Sequence, residues 1–199
     1  FIYVGVEVGI PNFANLFMTS PEINIDPTIA GSVVGTYWFL MMIGRLCGAS
    51  IGAKVSSRAM LTVVSTVGIV LVLGAIFCAD NILVNMPVFK SDISFGFAQV
   101  PVNVMLLILC GLCTSVMWGG IFNLAVEGLG KYTAAASGLF MVMVCGGGIL
   151  PLIQGGVADF AGFLNSYWVI ALGLAYILFY AAIGSKNVNT DIPTDDYEA

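Results

Sequence analysis

The sequence has no histidine and little charge: six basic and eleven acidic residues, 9% of 199. A soluble domain carries about 25% charged residues. With so few, and with 59% hydrophobic residues and a mean hydropathy of +1.03, a water-soluble fold is excluded. The chain reads as an integral membrane protein. Ten-residue strands of alternating polarity are also lacking, which excludes a transmembrane β-barrel and leaves an all-α architecture. Without histidine, and without a pair of acids at ligand spacing, there is no basis for an intramembrane enzyme, a metal site or a bound cofactor. Nothing is basic enough to bind nucleic acid. The start lacks both a basic segment and a small-residue cleavage site, so a signal peptide is not expected there. Beginning at Phe1, already inside an apolar run, the chain is expected to be a fragment or a processed product.

What is present is a series of long apolar runs. A bilayer core of about 30 Å needs roughly 20 apolar residues per helix, and six stretches qualify: 1–20, 29–52, 59–79, 102–126, 133–158 and 165–185. Polar breaks separate them, the longest being the mixed connection from Asp80 to Pro101. The bundle is therefore expected over 1–186, followed by a disordered acidic tail, 187–199. Six spans put both ends on one side. If that side is cytoplasmic, Arg45, Lys54, Arg58, Lys131 and Lys186 lie inside and only Lys90 outside, a clear positive-inside bias. Shifting the sequence by 104 residues lays the third run on the sixth, and Gly44 and Gly52 on Gly148 and Gly156. Three helices followed by three similar ones of opposite topology is the inverted-repeat pattern of secondary transporters. Gly44, Gly48 and Gly52 form a small-residue stripe of the kind that lets membrane helices pack closely. Cys110 and Cys113 have CxxC spacing but sit in an apolar run, where small packing residues are the expected role.

Polar groups at membrane depth are costly and point to function. The first run holds Glu7, Pro11, Asn12 and Asn15. At 100° per residue, Pro11, Asn15 and Asn12 fall about 40°, 80° and 140° from Glu7, on one side of the helix. Pro11 lacks an N–H and its ring clashes with the carbonyl of Glu7, which frees a backbone acceptor beside these groups. The fourth run carries Trp118, Gly119, Gly120 and Asn123, with the tryptophan near mid-span, away from the usual interfacial belt. A sugar presents hydroxyls at its edge and C–H groups on its faces. It is held by amides and carboxylates and by an aromatic plate. Glu7, Asn12, Asn15, Trp118 and Asn123 are such a set. The residues alone leave open a second reading, in which the amides only bond helices together and Trp118 is a core aromatic. Gln154 is a further candidate amide; Trp38, like its neighbour Tyr37, either lines the site or faces lipid. Pro11, Gly119, Gly120, Gly147 and Pro151 are candidate hinges, the last two in the Gly-rich fifth run.

The stretches "FIYVGVEVGIPNF", "IGRLCGASIGAKVSSR", "WGGIFNLAVEGLGKYTAAASG" and "GGGILPLIQGGVAD" resemble the C-terminal six helices of the major facilitator superfamily. They are most similar to its fucose–proton symporter family, in the bacterial glucose/galactose transporter branch. The resemblance implies helices 7–12 of twelve, one of two bundles that rock about a central site in the bacterial inner membrane. It implies a monosaccharide as substrate and symport with a cation, a proton or else sodium, by alternating access. Glu7, Asn12, Asn15, Trp118 and Asn123 would fall on the family's substrate-lining helices. The partners implied are the lipid bilayer and an N-terminal six-helix half that this chain lacks, and that half would hold the coupling acids. "GAKVSSR" departs from the superfamily's loop signature by lacking its acid. Other readings are a transporter of another small polar solute and a stand-alone six-helix structural protein.

Overall fold

The computed structural model describes residues 1–52, 54–79, 81–90 and 93–186. The acidic tail, Asp80 and Asp92 lie outside the described residues. Helix α1 spans Ile2–Thr19, α2 Pro27–Gly52, α3 Ser57–Phe77 and α4 Val102–Val126. The fifth run is two helices, α5 (Thr133–Val142) and α6 (Gly146–Ala161), joined by a 3-10 turn at Met143–Cys145. α7 covers Phe163–Phe179 and widens into a π-turn at Tyr180–Gly184. Among the described residues, five spans are long and apolar enough to cross a membrane: α2, α3, α4, the α5–α6 pair and α7 with its π-turn. The sixth expected span, α1, is not among them, since Glu7, Asn12 and Asn15 dilute its 18 residues. It is nevertheless an inner helix, packed against α2, α4, α6 and α7 with eleven buried residues.

Helix ends follow the sequence. Ser56 caps α3, its hydroxyl accepting from the Ala59 N–H at 3.3 Å. Asp26 accepts from the Thr28 N–H at 2.8 Å at the start of α2. That backbone donor holds the exposed Asp26 carboxyl below the usual carboxylate range. The two ends of the bundle are distinguishable: one carries the α2–α3 and α4–α5 turns, and the other carries the 80–101 connection.

That connection is not an irregular linker. Leu83–Phe89 (β1) and Phe95–Pro101 (β2) pair antiparallel, Met86 opposite Ala98 and Val84 opposite Val100. Period-two alternation explains it: Met86, Val88, Ala98 and Val100 are buried, while Asn85, Pro87, Phe97 and Gln99 are exposed. The hairpin leans on α2, where Phe89 stacks on Phe39 at 4.7 Å and its N–H donates to Thr36 Oγ1 at 2.9 Å.

Close helix contact is set by small residues. A Cβ on Gly44 would collide with Ser115, one on Gly48 with Val116, and one on Gly111 would lie 2.6 Å from the Tyr37 carbonyl oxygen. Thus α2 and α4 touch nearly backbone to backbone. The third member of the expected stripe, Gly52, faces open space.

Candidate functional site

Glu7 on α1 is held at two points from α2. Its Oε1 accepts from Arg45 Nη2 on α2 at 3.1 Å. The Tyr37 hydroxyl donates to its backbone carbonyl, also at 3.1 Å. Pro11 supplies no amide hydrogen to that carbonyl, and α1 runs on through Pro11 unbroken, so a tyrosine from the next helix fills the place of the lost helical bond. The same Tyr37 oxygen meets Thr114 Oγ1 at 3.0 Å. Tyr3 donates to the Thr114 carbonyl at 3.1 Å, and Tyr167 to the Ile10 carbonyl at 2.8 Å, one turn along α1. Three buried tyrosines thus satisfy backbone carbonyls where no water is expected.

Beside this network is a groove of about 420 Å³ between α2 and α4. Arg45, Ser57, Ser115, Trp118 and Asn123 line it, with Gly48, Gly52, Gly119 and Gly120 leaving its walls bare. Arg45 is 56% exposed and projects into it, whereas Glu7 is only 14% exposed. Asn123 is exposed, its amide 3.5 Å from Ser57 Oγ. Trp118 is half-buried, its ring edge-on to Phe140 at 4.9 Å and tilted against Tyr3 at 5.8 Å. The ring is packed as a core aromatic and also lines the groove. It separates the polar groove from an apolar cavity of about 340 Å³ lined by Tyr3, Phe140, Tyr176 and Tyr180.

The expected site residues do not converge on one point. Glu7, Trp118 and Asn123 lie toward the turn end of the bundle. Asn12, which is exposed, and Asn15, half-buried, lie toward the hairpin end. Eight residues of helix put Asn15 about 12 Å beyond Glu7 along the axis. Trp38, seven residues from Arg45 on the same stripe of α2, is about 10 Å away along the axis. It is 44% exposed and borders a second groove, shared with the hairpin residues Phe89 and Phe95. Its neighbour Tyr37 faces neither lipid nor groove, being fully buried.

Gln154 belongs to neither level. It is fully buried, its Nε2 donates to Ser166 Oγ at 3.4 Å, and it packs against Gly9. This is a contact among α1, α6 and α7, because the rotation of α6 turns it inward. Of the expected hinges, Gly119 faces open space, Gly120 touches Leu61 and Ser57, and Gly147 sits on Val4. Pro151 lies inside continuous helix, and the break in the fifth span falls earlier, at Met143–Cys145.

Sequence reasoning missed Arg45 as a member of this cluster, assigning it only to the orientation of the bundle. A signal was available: an acid inside an apolar span needs a partner, and Arg45 is the sole basic residue within any of the six apolar runs.

No family model matches the chain. It is 30% identical over 188 residues to a glucose/galactose transporter of Brucella abortus and 31% identical over 191 residues to a putative glucose/galactose transporter of Helicobacter pylori. Both alignments cover 94% of this chain but only 41% and 42% of those proteins. An L-fucose-proton symporter of Escherichia coli is 33% identical over 92 residues. The crystal structure of FucP, a major facilitator superfamily transporter in the outward conformation, superposes with a TM-score of 0.76 at 21% identity. It matches 94% of this chain and 40% of that one. The chain thus spans about two-fifths of the length of the relatives it matches.

Proposed function

We propose that this chain, which is one half of a major facilitator superfamily fold, is the C-terminal half of a monosaccharide transporter and forms one wall of its sugar site. The observation that carries the reading is the groove between α2 and α4. It sets a guanidinium, an amide and a half-buried tryptophan around about 420 Å³ in an otherwise apolar bundle, the guanidinium being paired with the Glu7 carboxylate behind it. That volume lies in the range of small-ligand sites, about 300–1,000 Å³. The relatives' names point the same way, two being glucose/galactose transporters and one an L-fucose-proton symporter.

The second six-helix half supplies the facing wall, and rocking of the two halves alternates access. Transport is driven by a coupled cation, a proton in the first instance and sodium otherwise. Both ends of the chain face the cytoplasm across the bacterial inner membrane, in keeping with five basic residues on that side against one on the other. The test is uptake by the full-length protein in vesicles, with glucose, galactose, mannose and fucose, under an imposed proton gradient, a sodium gradient or neither. Gradient-dependent accumulation of at least one hexose is expected. Accumulation of none, with transport of a different polar solute, would overturn the reading.

A further inference from the structure

We propose that Arg45 and Glu7 act together as a clamp for two neighbouring hydroxyls of the solute ring, so that Arg45 is a specificity-determining residue. The inference rests on the monosaccharide reading above and adds the groups that grip the ring.

The pair is joined by a single N–O contact of 3.1 Å. Arg45 donates to Glu7 Oε1 and to Met41 Sδ, both from Nη2. A guanidinium carries five donors, so Nε and Nη1 are committed to neither partner. On the acid, Oε2 is outside the ion pair, and the Tyr3 hydroxyl is in hydrogen-bonding contact with both side chains, a place that a ligand hydroxyl would share. A vicinal diol matches what is left: one hydroxyl donates to the carboxylate, and the adjacent hydroxyl oxygen accepts from the guanidinium. The exposures are suited to this, with the acid sheltered and the base projecting into the groove beside Trp118 and Asn123.

Charge selects the class of ligand. A lone arginine in such a groove would favour a carboxylate or a phosphate. Here the neighbouring carboxylate cancels the charge, which favours a neutral polyhydroxy ring. A site built to bond a hydroxyl also discriminates strongly against the analogue that lacks it, because the buried partner is then left unpaired.

The experiment uses the full-length protein and equilibrium binding of glucose, galactose and each monodeoxyglucose. Wild type is compared with Arg45→Ala, Arg45→Lys, Glu7→Gln and the exchange E7R/R45E. We expect wild type to lose roughly tenfold or more for the one or two deoxy positions that meet the pair. Arg45→Ala should weaken glucose by a similar factor and no longer discriminate at the position it gripped. Arg45→Lys should retain part of the affinity. The exchange should restore folding without restoring binding.

Loss of equal size for every deoxy sugar in Arg45→Ala, or wild-type binding in the exchanged pair, would make the pair a structural brace and overturn the proposal. So would unchanged affinity in Arg45→Lys and Arg45→Ala alike. If Arg45→Ala fails to fold, Arg45→Lys and Glu7→Gln carry the same comparison. Wild type that binds an anionic sugar in preference to neutral hexoses overturns the clamp but not the transporter. Wild type that binds no sugar overturns both.

Discussion

The contact between Tyr37 and the Glu7 carbonyl makes a prediction that can be worked through. In a regular helix that carbonyl would accept from the amide of residue 11, but residue 11 is proline. Tyr37 Oη supplies the hydrogen at 3.1 Å from α2. Interhelical hydrogen bonds in membranes average about 0.6 kcal/mol and reach about 1.7, while a buried polar group left unpaired costs about 1–3 kcal/mol. Tyr37→Phe should therefore destabilise the full-length protein by about 1–2 kcal/mol. Thr114, the other group at that hydroxyl, keeps its bond to the Cys110 carbonyl at 3.2 Å and adds little. In a Pro11→Ala background the residue-11 amide is restored and takes over the Glu7 carbonyl. There Tyr37→Phe should cost about 0.6 kcal/mol or less, a coupling of about 1 kcal/mol between two residues on different helices. The cycle cancels whatever Pro11→Ala does to α1 by itself. Reversible unfolding in mixed micelles would measure all four variants. An equal cost of Tyr37→Phe in both backgrounds would refute the idea that the tyrosine replaces the missing helical bond.

Further expectations follow from the same contacts. Gly111→Val should separate α2 from α4 and abolish accumulation of folded protein, because its Cβ would lie 2.6 Å from the Tyr37 carbonyl oxygen. Gly52→Val, on the stripe but in open space, should leave expression within twofold, as measured by fluorescence-detected size exclusion. Glu7→Gln should depress sugar binding with normal expression; unchanged affinity and uptake at every pH tested would exclude it from the site. Trp118→Ala should weaken all hexoses alike, since stacking ignores hydroxyl stereochemistry, and a loss confined to one epimer would argue against stacking. On a cysteine-free background, a cysteine replacing Phe97 in the hairpin should react with an impermeant maleimide in intact cells. A cysteine replacing Lys131 should react only after permeabilisation, and the reverse pattern would invert the topology.

Much of the fold was legible because membrane spans are written in run length and hydropathy, which depend on local composition alone. What escaped reading depended on smaller numbers of residues. The hairpin alternates over only seven positions per strand and includes Pro87, so its signal sank into a mixed connection. The break of the fifth span was expected from its glycines and Pro151. It falls instead just before Gly146, where the Phe1 carbonyl packs so closely that a side chain would not fit.

The site was legible in its types of residue and less so in its geometry. Helical angles grouped Glu7, Asn12 and Asn15 on one side, but an angle carries no depth. Eight residues separate Glu7 from Asn15 along the axis, about 12 Å, so the shared side is a track and not a point. Gln154 shows the complementary failure. The sequence places it close to the outer end of its run, and the rotation of α6 aims it at Gly9 and Ser166; that rotation is set by packing that a single helix does not encode. Arg45 failed for a different reason. Read one helix at a time, it is a basic residue near a helix end and serves only to orient the bundle. Read across helices, it is the one cation available to an acid that cannot remain alone at that depth. Charge balance within the spans is thus a long-range constraint recoverable from sequence, and it identifies the residue whose role the deoxy-sugar comparison decides.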